Sequence, residues 1–61
     1  MKKNYMIVFA FLDKDGAIQR DDYGVEIYHI EHMSGYTKTS ALRRLKRRIK
    51  PHFEIIEMEE L

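Results

Sequence analysis

Residues 39–50, TSALRRLKRRIK, are the only stretch of the chain with a clear helical period, and they decide the fold. On a wheel of 3.6 residues per turn the apolar side chains share one narrow arc, which Phe53 would extend: Ala41, Leu42, Leu45 and Ile49. The rest of the circumference is basic and comprises Arg43, Arg44, Lys46, Arg47, Arg48 and Lys50. The pattern predicts an amphipathic helix that packs by one apolar stripe.

The flanking residues set the ends of this helix. Gly35 breaks the pattern in a predicted loop, residues 33–38, and Thr37 or Thr39 is suited to cap the helix N-terminus. Lys38 would fall inside the apolar arc, so a start after Lys38 is expected. Pro51 lacks a backbone donor and disfavours helix at the residue before it, which predicts an end near Lys50.

Residues 5–12, YMIVFAFL, form a continuous apolar run whose length and β-branched and aromatic content predict a strand. Both of its faces are apolar, whereas a half-exposed strand alternates with polar residues. A single helix covers only one face of a sheet, so the second face is expected to pack on another copy of the chain. The predicted dimer interface comprises Tyr5, Ile7, Phe9, Phe11 and Tyr28.

Two further strands complete the predicted architecture. Residues 12–23 are rich in turn formers, and the Asp15-Gly16 pair predicts a hairpin that makes the second strand, residues 23–32, antiparallel to the first. Residues 53–58, FEIIEM, predict a third strand with imperfect alternation, in which Phe53 and Ile55 share one face and Ile56 and Met58 the other. A helix continuing past Pro51 to residue 60 is the alternative. The expected fold is a small α+β domain in ββαβ order.

The chain length limits what this domain can be. Sixty-one residues make one domain, residues 1–61, and a chain this short buries too little surface to be very stable alone. It has no cysteine for a disulfide, so oligomerisation is the expected support, and a reducing, cytoplasmic setting is expected. The N-terminal apolar run ends without a small-residue cleavage site and is too short to span a bilayer, which argues against secretion and a membrane anchor.

The charges are strongly segregated. Of the eleven Lys and Arg residues, seven lie in residues 38–50, and none of the ten acidic residues lies there. Like charges four residues apart on a helix destabilise it by about 0.2–0.5 kcal/mol per pair. This unexplained cost favours an anionic partner, DNA or RNA, whose phosphates the six basic residues of 43–50 would contact. An acidic protein partner, or a face that is solvated or paired with Glu54, Glu57, Glu59 and Glu60, remains an alternative.

Other candidate sites receive less support from the sequence. Tyr23, Tyr28 and Tyr36 are able to stack on bases but carry no RNA-binding motif, so sheet-surface and dimer contacts are the preferred interpretation. On a strand His29 and Glu31 point away from His32, so no metal site is expected. The acidic side chains of the first connection are interpreted as turn formers. Without a nucleophile motif or a glycine-rich phosphate loop, no catalysis and no cofactor are expected.

The size and the predicted ββαβ order resemble those of small phage or mobile-element proteins in general, a resemblance of fold only. The exposed edges of the predicted sheet give a second candidate function, because an edge can accept a strand from another chain. The chain would then be a protein-binding inhibitor or adaptor that acts through an exposed sheet edge or through the basic face.

Overall fold

The computed structural model describes all 61 residues and contains one three-stranded sheet and one helix. The elements in chain order are β1 (Lys3–Phe11), β2 (His29–Gly35), α1 (Lys38–Arg48) and β3 (Phe53–Glu60). The strand order is β2-β1-β3, and β1 is antiparallel to both neighbours. This confirms the predicted α+β fold in ββαβ order. The helix is not long and apolar enough to cross a membrane.

The core lies between β1 and α1. Tyr5, Ile7 and Phe9 on one face of β1 are at most 3% exposed, and they form one cluster with the fully buried Ala41 and Leu45 of the helix. Met33 of β2 belongs to the same cluster, and the other apolar residues of the helix, Leu42 and Ile49, pack against it half-buried. The apolar stripe of the helix is therefore confirmed as the surface that covers the sheet.

The helix begins slightly earlier and ends earlier than predicted. Thr37 is the N-cap: its hydroxyl accepts from the Ser40 amide, while the Ser40 hydroxyl accepts from the Thr37 amide. This reciprocal pair fixes the start at Lys38, which is exposed rather than within the buried arc. At the other end Ile49 is extended and caps the helix, so Lys50 lies outside it. The helix cap thus lies two residues before Pro51, consistent with the disfavoured helical conformation of a residue that precedes proline.

The start of the helix lies unusually close to the end of β2, because Gly35 has no side chain. A Cβ atom at Gly35 would lie 2.6 Å from the Ser40 hydroxyl oxygen and 2.8 Å from the Ala41 backbone nitrogen. Gly35 is buried at the end of the strand and is not part of a loop. The predicted loop over residues 33–38 is therefore shorter, because its first three residues extend β2.

The third segment is a strand, which excludes the alternative helix past Pro51, and a β-bulge explains its imperfect alternation. In β3 the register shifts between Val8 and Phe9 of β1: Val8 lies opposite Glu57 and Phe9 opposite Ile55. Ile56 is the extra residue. The shift returns Met58 to the helix-facing side, where Met58 packs against the core, and leaves Ile56 44% exposed. The prediction that Ile56 and Met58 share a face was therefore wrong.

The connection between β1 and β2 contains two tight turns instead of one. In the first, the Asp13 carboxylate accepts from the amides of Asp15 and Ala17, and in the second Asp21 accepts from Tyr23 and Val25. The glycine ending each turn, Gly16 or Gly24, has a φ of 82° or 81°, which favours glycine. Isolated bridges join Leu12 to Ile18 and Arg20 to Glu26. The second turn includes the residues where the second strand was expected to start, so β2 begins at His29 rather than at residue 23.

Because of the bulge, two apolar residues of β3, Ile56 and Met58, lie in different environments. Met58→Ala should lower the free energy of unfolding by about 1–2.5 kcal/mol, since removing a fully buried methionine costs about 2–5 kcal/mol and Met58 is half-buried. Ile56→Ala, the matched control, should cost less than about 1 kcal/mol. Urea unfolding followed by circular dichroism measures both values. Equal costs for the two variants would contradict the assigned register.

Candidate nucleic-acid interface

All six predicted phosphate-binding residues are exposed, but two of them already have partners in the chain. Arg44 donates through Nη1 to the Ser34 carbonyl at 2.9 Å and to the Ser34 hydroxyl at 2.8 Å. Arg48 forms an ion pair with Glu31, with Nη1 and Oε1 3.1 Å apart. Both arginines therefore tie α1 to β2. These contacts cannot be predicted from the sequence, because they depend on where β2 lies relative to the helix.

The remaining four cations form what we call the cationic strip: Arg43, Lys46, Arg47 and Lys50. None of them has a salt bridge or a side-chain hydrogen bond within the chain. Arg43 and Arg47 are one turn apart, as are the positions of Lys46 and Lys50, although Lys50 follows the helix end. No acidic residue lies in the first turn of the helix, and its last turn carries Lys46, Arg47 and Arg48. The positive charge of the strip is thus uncompensated by the protein.

The acidic residues of β3 do not fold back onto the strip. Glu54, Glu57 and Glu59 lie opposite Ala10, Val8 and Met6 of β1, which alternate with the helix-facing residues of that strand. They therefore lie on the sheet face away from the helix. Glu60 pairs with Lys3 at 3.5 Å. Of the six basic residues, only Arg48 forms an ion pair with an acidic residue of the chain.

An open cavity of about 340 Å³ adjoins one side of the cationic strip. We call it the basic cavity, and its lining consists of Lys2, Gly35, Tyr36, Ser40, Arg43, Arg44 and Arg47. Register explains how the N-terminus comes to it, because Lys3 pairs with Gly35 at the end of the sheet next to the helix start. Lys2 and Tyr36 were not among the predicted contact residues. Strand pairing brings Lys2 and Tyr36 together, and sequence periodicity does not predict it.

The three exposed tyrosines have different surroundings. Tyr36 lines the basic cavity and is 62% exposed. Tyr28 donates its hydroxyl to the Glu26 carboxylate, and this hydrogen bond raises the pKa of Tyr28 above its ordinary value. Tyr23 follows Asp21 and Asp22 in the second turn, and its side chain forms no hydrogen bond with a basic residue. Only Tyr36 combines an exposed aromatic ring with several cations.

The histidines have no common site. His29 stacks on Phe9, with ring centroids 5.5 Å apart, and meets Phe11 edge-on at 4.9 Å. His32 lies three residues after His29 in β2 and faces the opposite side of the sheet. His29 therefore has a packing role at the end of the core.

The predicted dimer residues do not form one exposed surface. Tyr5, Ile7 and Phe9 are buried by the helix of their own chain, and Phe11 packs half-buried at the edge of the same cluster. Tyr28 lies on the connection before β2 and is exposed. Tyr5, Ile7 and Phe9 cannot be the contact with a second copy, because α1 already covers their face of β1. The uncovered face of the sheet is the opposite one, with Met6 and Val8 on β1 and Ile30 on β2, while Ala10 on the same face is buried.

Comparison of the chain with protein-family models, curated proteins and solved structures finds no match.

Proposed function

We propose that this chain is a small, non-catalytic, cytoplasmic protein that binds DNA or RNA through the cationic strip. The observation that carries the proposal is the lack of any intramolecular partner for Arg43, Lys46, Arg47 and Lys50. Phosphates would supply the missing anions, and the release of condensed counterions would drive binding. The contacts are to the nucleic-acid backbone and carry little sequence readout.

The length of the strip suits a polyphosphate. Arg43 and Arg47 lie four residues apart in α1, which corresponds to about 6 Å along the helical axis, and Lys50 extends the strip beyond the helix end. A nucleic-acid strand in a duplex carries one charge per roughly 3.4 Å, so the spacing of the two arginines is comparable to that of alternate phosphates of one strand. Guanidinium groups add bidentate hydrogen bonding to phosphate oxygens, which a solvated lysine-rich face would not need.

The cost to the helix supports the same proposal. Arg43 and Arg47 repel each other by about 0.2–0.5 kcal/mol in isolation, and α1 contains no acidic residue to offset this. The favourable position of cations near the helix C-terminus recovers part of the cost for Lys46 and Arg47. A bound anion would remove the repulsion where it is greatest.

The alternative, a protein-binding inhibitor or adaptor, finds less support at the sheet edges. At β2 the Ser34 carbonyl already accepts a hydrogen bond from the Arg44 guanidinium, so it is not available to another strand. At β3 the edge is bulged and carries four glutamates, and both features discourage the addition of another strand. An acidic protein docking on the cationic strip is the form of this alternative that the structure leaves open.

Salt titration with a matched pair of variants tests nucleic-acid binding. Fluorescence anisotropy with a labelled duplex should give a slope of log K against log salt of about −3.6 for four neutralised phosphates, and Arg47→Gln should reduce its magnitude by about 0.9. Lys14→Gln removes the same charge from an exposed turn outside the cationic strip and should leave the slope unchanged. Absence of binding to duplex and single strand at low salt would refute the proposal and favour the acidic protein partner.

We further infer that the uncovered sheet face packs on the same face of a second copy. Its centre is apolar, and Ile30 on β2 is 60% exposed. The glutamates of this face lie only on β3, while the β2 side presents Ile30, His32 and Ser34. A two-fold axis parallel to the strands would lay β3 of one copy over β2 of the other and keep the glutamates apart. The two cationic strips would then lie on opposite outer surfaces of the dimer.

Sedimentation equilibrium tests the dimer. The wild-type chain should approach twice its 7.4 kDa mass as concentration rises, and Val8→Glu should remain monomeric because it adds a charge at the centre of the apolar face. Val25→Glu changes an exposed valine of the connection and should still dimerise. A wild-type mass of one chain at all concentrations, or equal dimerisation of the two variants, would overturn this arrangement.

A further inference from the structure

The basic cavity adds an aromatic ring to the cations of the strip, and this combination carries a more specific inference. Tyr36 lies directly before the helix N-cap, and its ring shares the cavity with Arg43, Arg44 and Arg47. The cavity volume, about 340 Å³, falls at the lower end of the range of roughly 300–1,000 Å³ for small-ligand sites. It is therefore suited to part of a polymer, such as one nucleotide, more than to a large cofactor.

We propose that the basic cavity binds single-stranded nucleic acid, with one base stacked on Tyr36 and the neighbouring phosphates on Arg43 and Arg47. This inference rests on the proposed function and names its substrate class. Stacking platforms beside a positively charged groove are the general means by which proteins hold single strands. Either DNA or RNA fits this chemistry, because both have the same phosphates and stacking bases.

The Arg44 side chain lines the cavity and is held in place by hydrogen bonds. Both hydrogens of its Nη1 are directed to Ser34, one to the carbonyl and one to the hydroxyl oxygen. The Nη2 and Nε donors have no partner within the chain and remain for a phosphate. A guanidinium already held by the fold loses less conformational entropy on binding than a free one. Lys2, near the N-terminus, is the fourth cation of the cavity lining, beside Arg43, Arg44 and Arg47.

The position of Tyr36 distinguishes single strands from duplexes. In a duplex the bases are stacked on one another and are not available to a surface ring, so only phosphate contacts remain. In a single strand a base is free to stack on the ring at little cost. Tyr23 and Tyr28 are equally able to stack by exposure alone, but acidic side chains lie next to both: Asp21 and Asp22 for Tyr23, and Glu26 for Tyr28. Arg20, the cation beside Tyr28, is already paired with Glu26, so it is less available to a phosphate than the arginines around Tyr36.

The test measures the affinity of labelled oligothymidylate and of a duplex of equal length by fluorescence anisotropy at low salt. Tyr36→Ala should weaken single-strand binding about 5- to 150-fold and leave duplex binding unchanged, and Tyr36→Phe should retain the wild-type affinity for both. Tyr23→Ala is the matched control and should change neither. Tyr36→Leu keeps an apolar side chain next to the cap without a flat ring and should behave as Tyr36→Ala does, and circular dichroism verifies the fold of each variant.

The outcomes separate this inference from the proposed function. If the wild-type chain binds both substrates and Tyr36→Ala weakens neither, or weakens both equally, the stacking site is refuted while phosphate binding by the cationic strip stands. If Tyr36→Leu binds single strands as tightly as the wild type, an aromatic ring is not required and the inference fails. If the wild-type chain binds neither substrate, both proposals fail.

Discussion

Burial of one face of β1 beneath α1 is the contact on which the rest of the structure depends. Tyr5, Ile7 and Phe9 pack with Ala41 and Leu45 in the core cluster, and only eight of the 61 residues are buried rather than half-buried or exposed. An eleven-residue helix is not expected to be stable alone in water, so α1 depends on its packing against the sheet. The apolar stripe of the helix is thus committed to the fold, and its basic circumference is left for other contacts.

This commitment also determines where the charges lie. The helix covers one sheet face and displays its cations on that side, while Glu54, Glu57 and Glu59 lie on the other face. The sheet therefore separates the two signs of charge, and internal neutralisation is limited to ion pairs at its margins such as Arg48 with Glu31. Arg44 and Arg48 hold the helix to β2, and Arg43, Lys46, Arg47 and Lys50 remain for a partner. A near-neutral chain thereby acquires a strongly basic surface.

The features with strong local periodicity were predictable from the sequence. The helical stripe, the apolar first strand and the ββαβ order follow from residue patterns, and Thr37 was one of two predicted caps. The orientation of β1 was not predictable, because both of its faces are apolar and only the tertiary fold decides which one α1 covers. For this reason Tyr5, Ile7 and Phe9 were assigned to a dimer interface although they form the core. The bulge at Ile56 and the meeting of Lys2 with Tyr36 in the basic cavity depend on strand pairing. The second turn is local: Asp21, Asp22 and Gly24 indicate an irregularity in the sequence, and the Asp21 carboxylate accepts from the amides of Tyr23 and Val25.

The central claim is that the helix-side surface binds nucleic acid and that the acidic sheet face does not. Chemical-shift mapping of the isotopically labelled protein during titration with a single-stranded oligonucleotide tests it most directly. We expect the largest changes at Tyr36, at the cationic strip and at the side-chain Nε of Arg44, with Glu54, Glu57 and Glu59 unaffected. Changes confined to the β3 glutamates and the apolar residues between them, or no changes at any residue, would contradict the account.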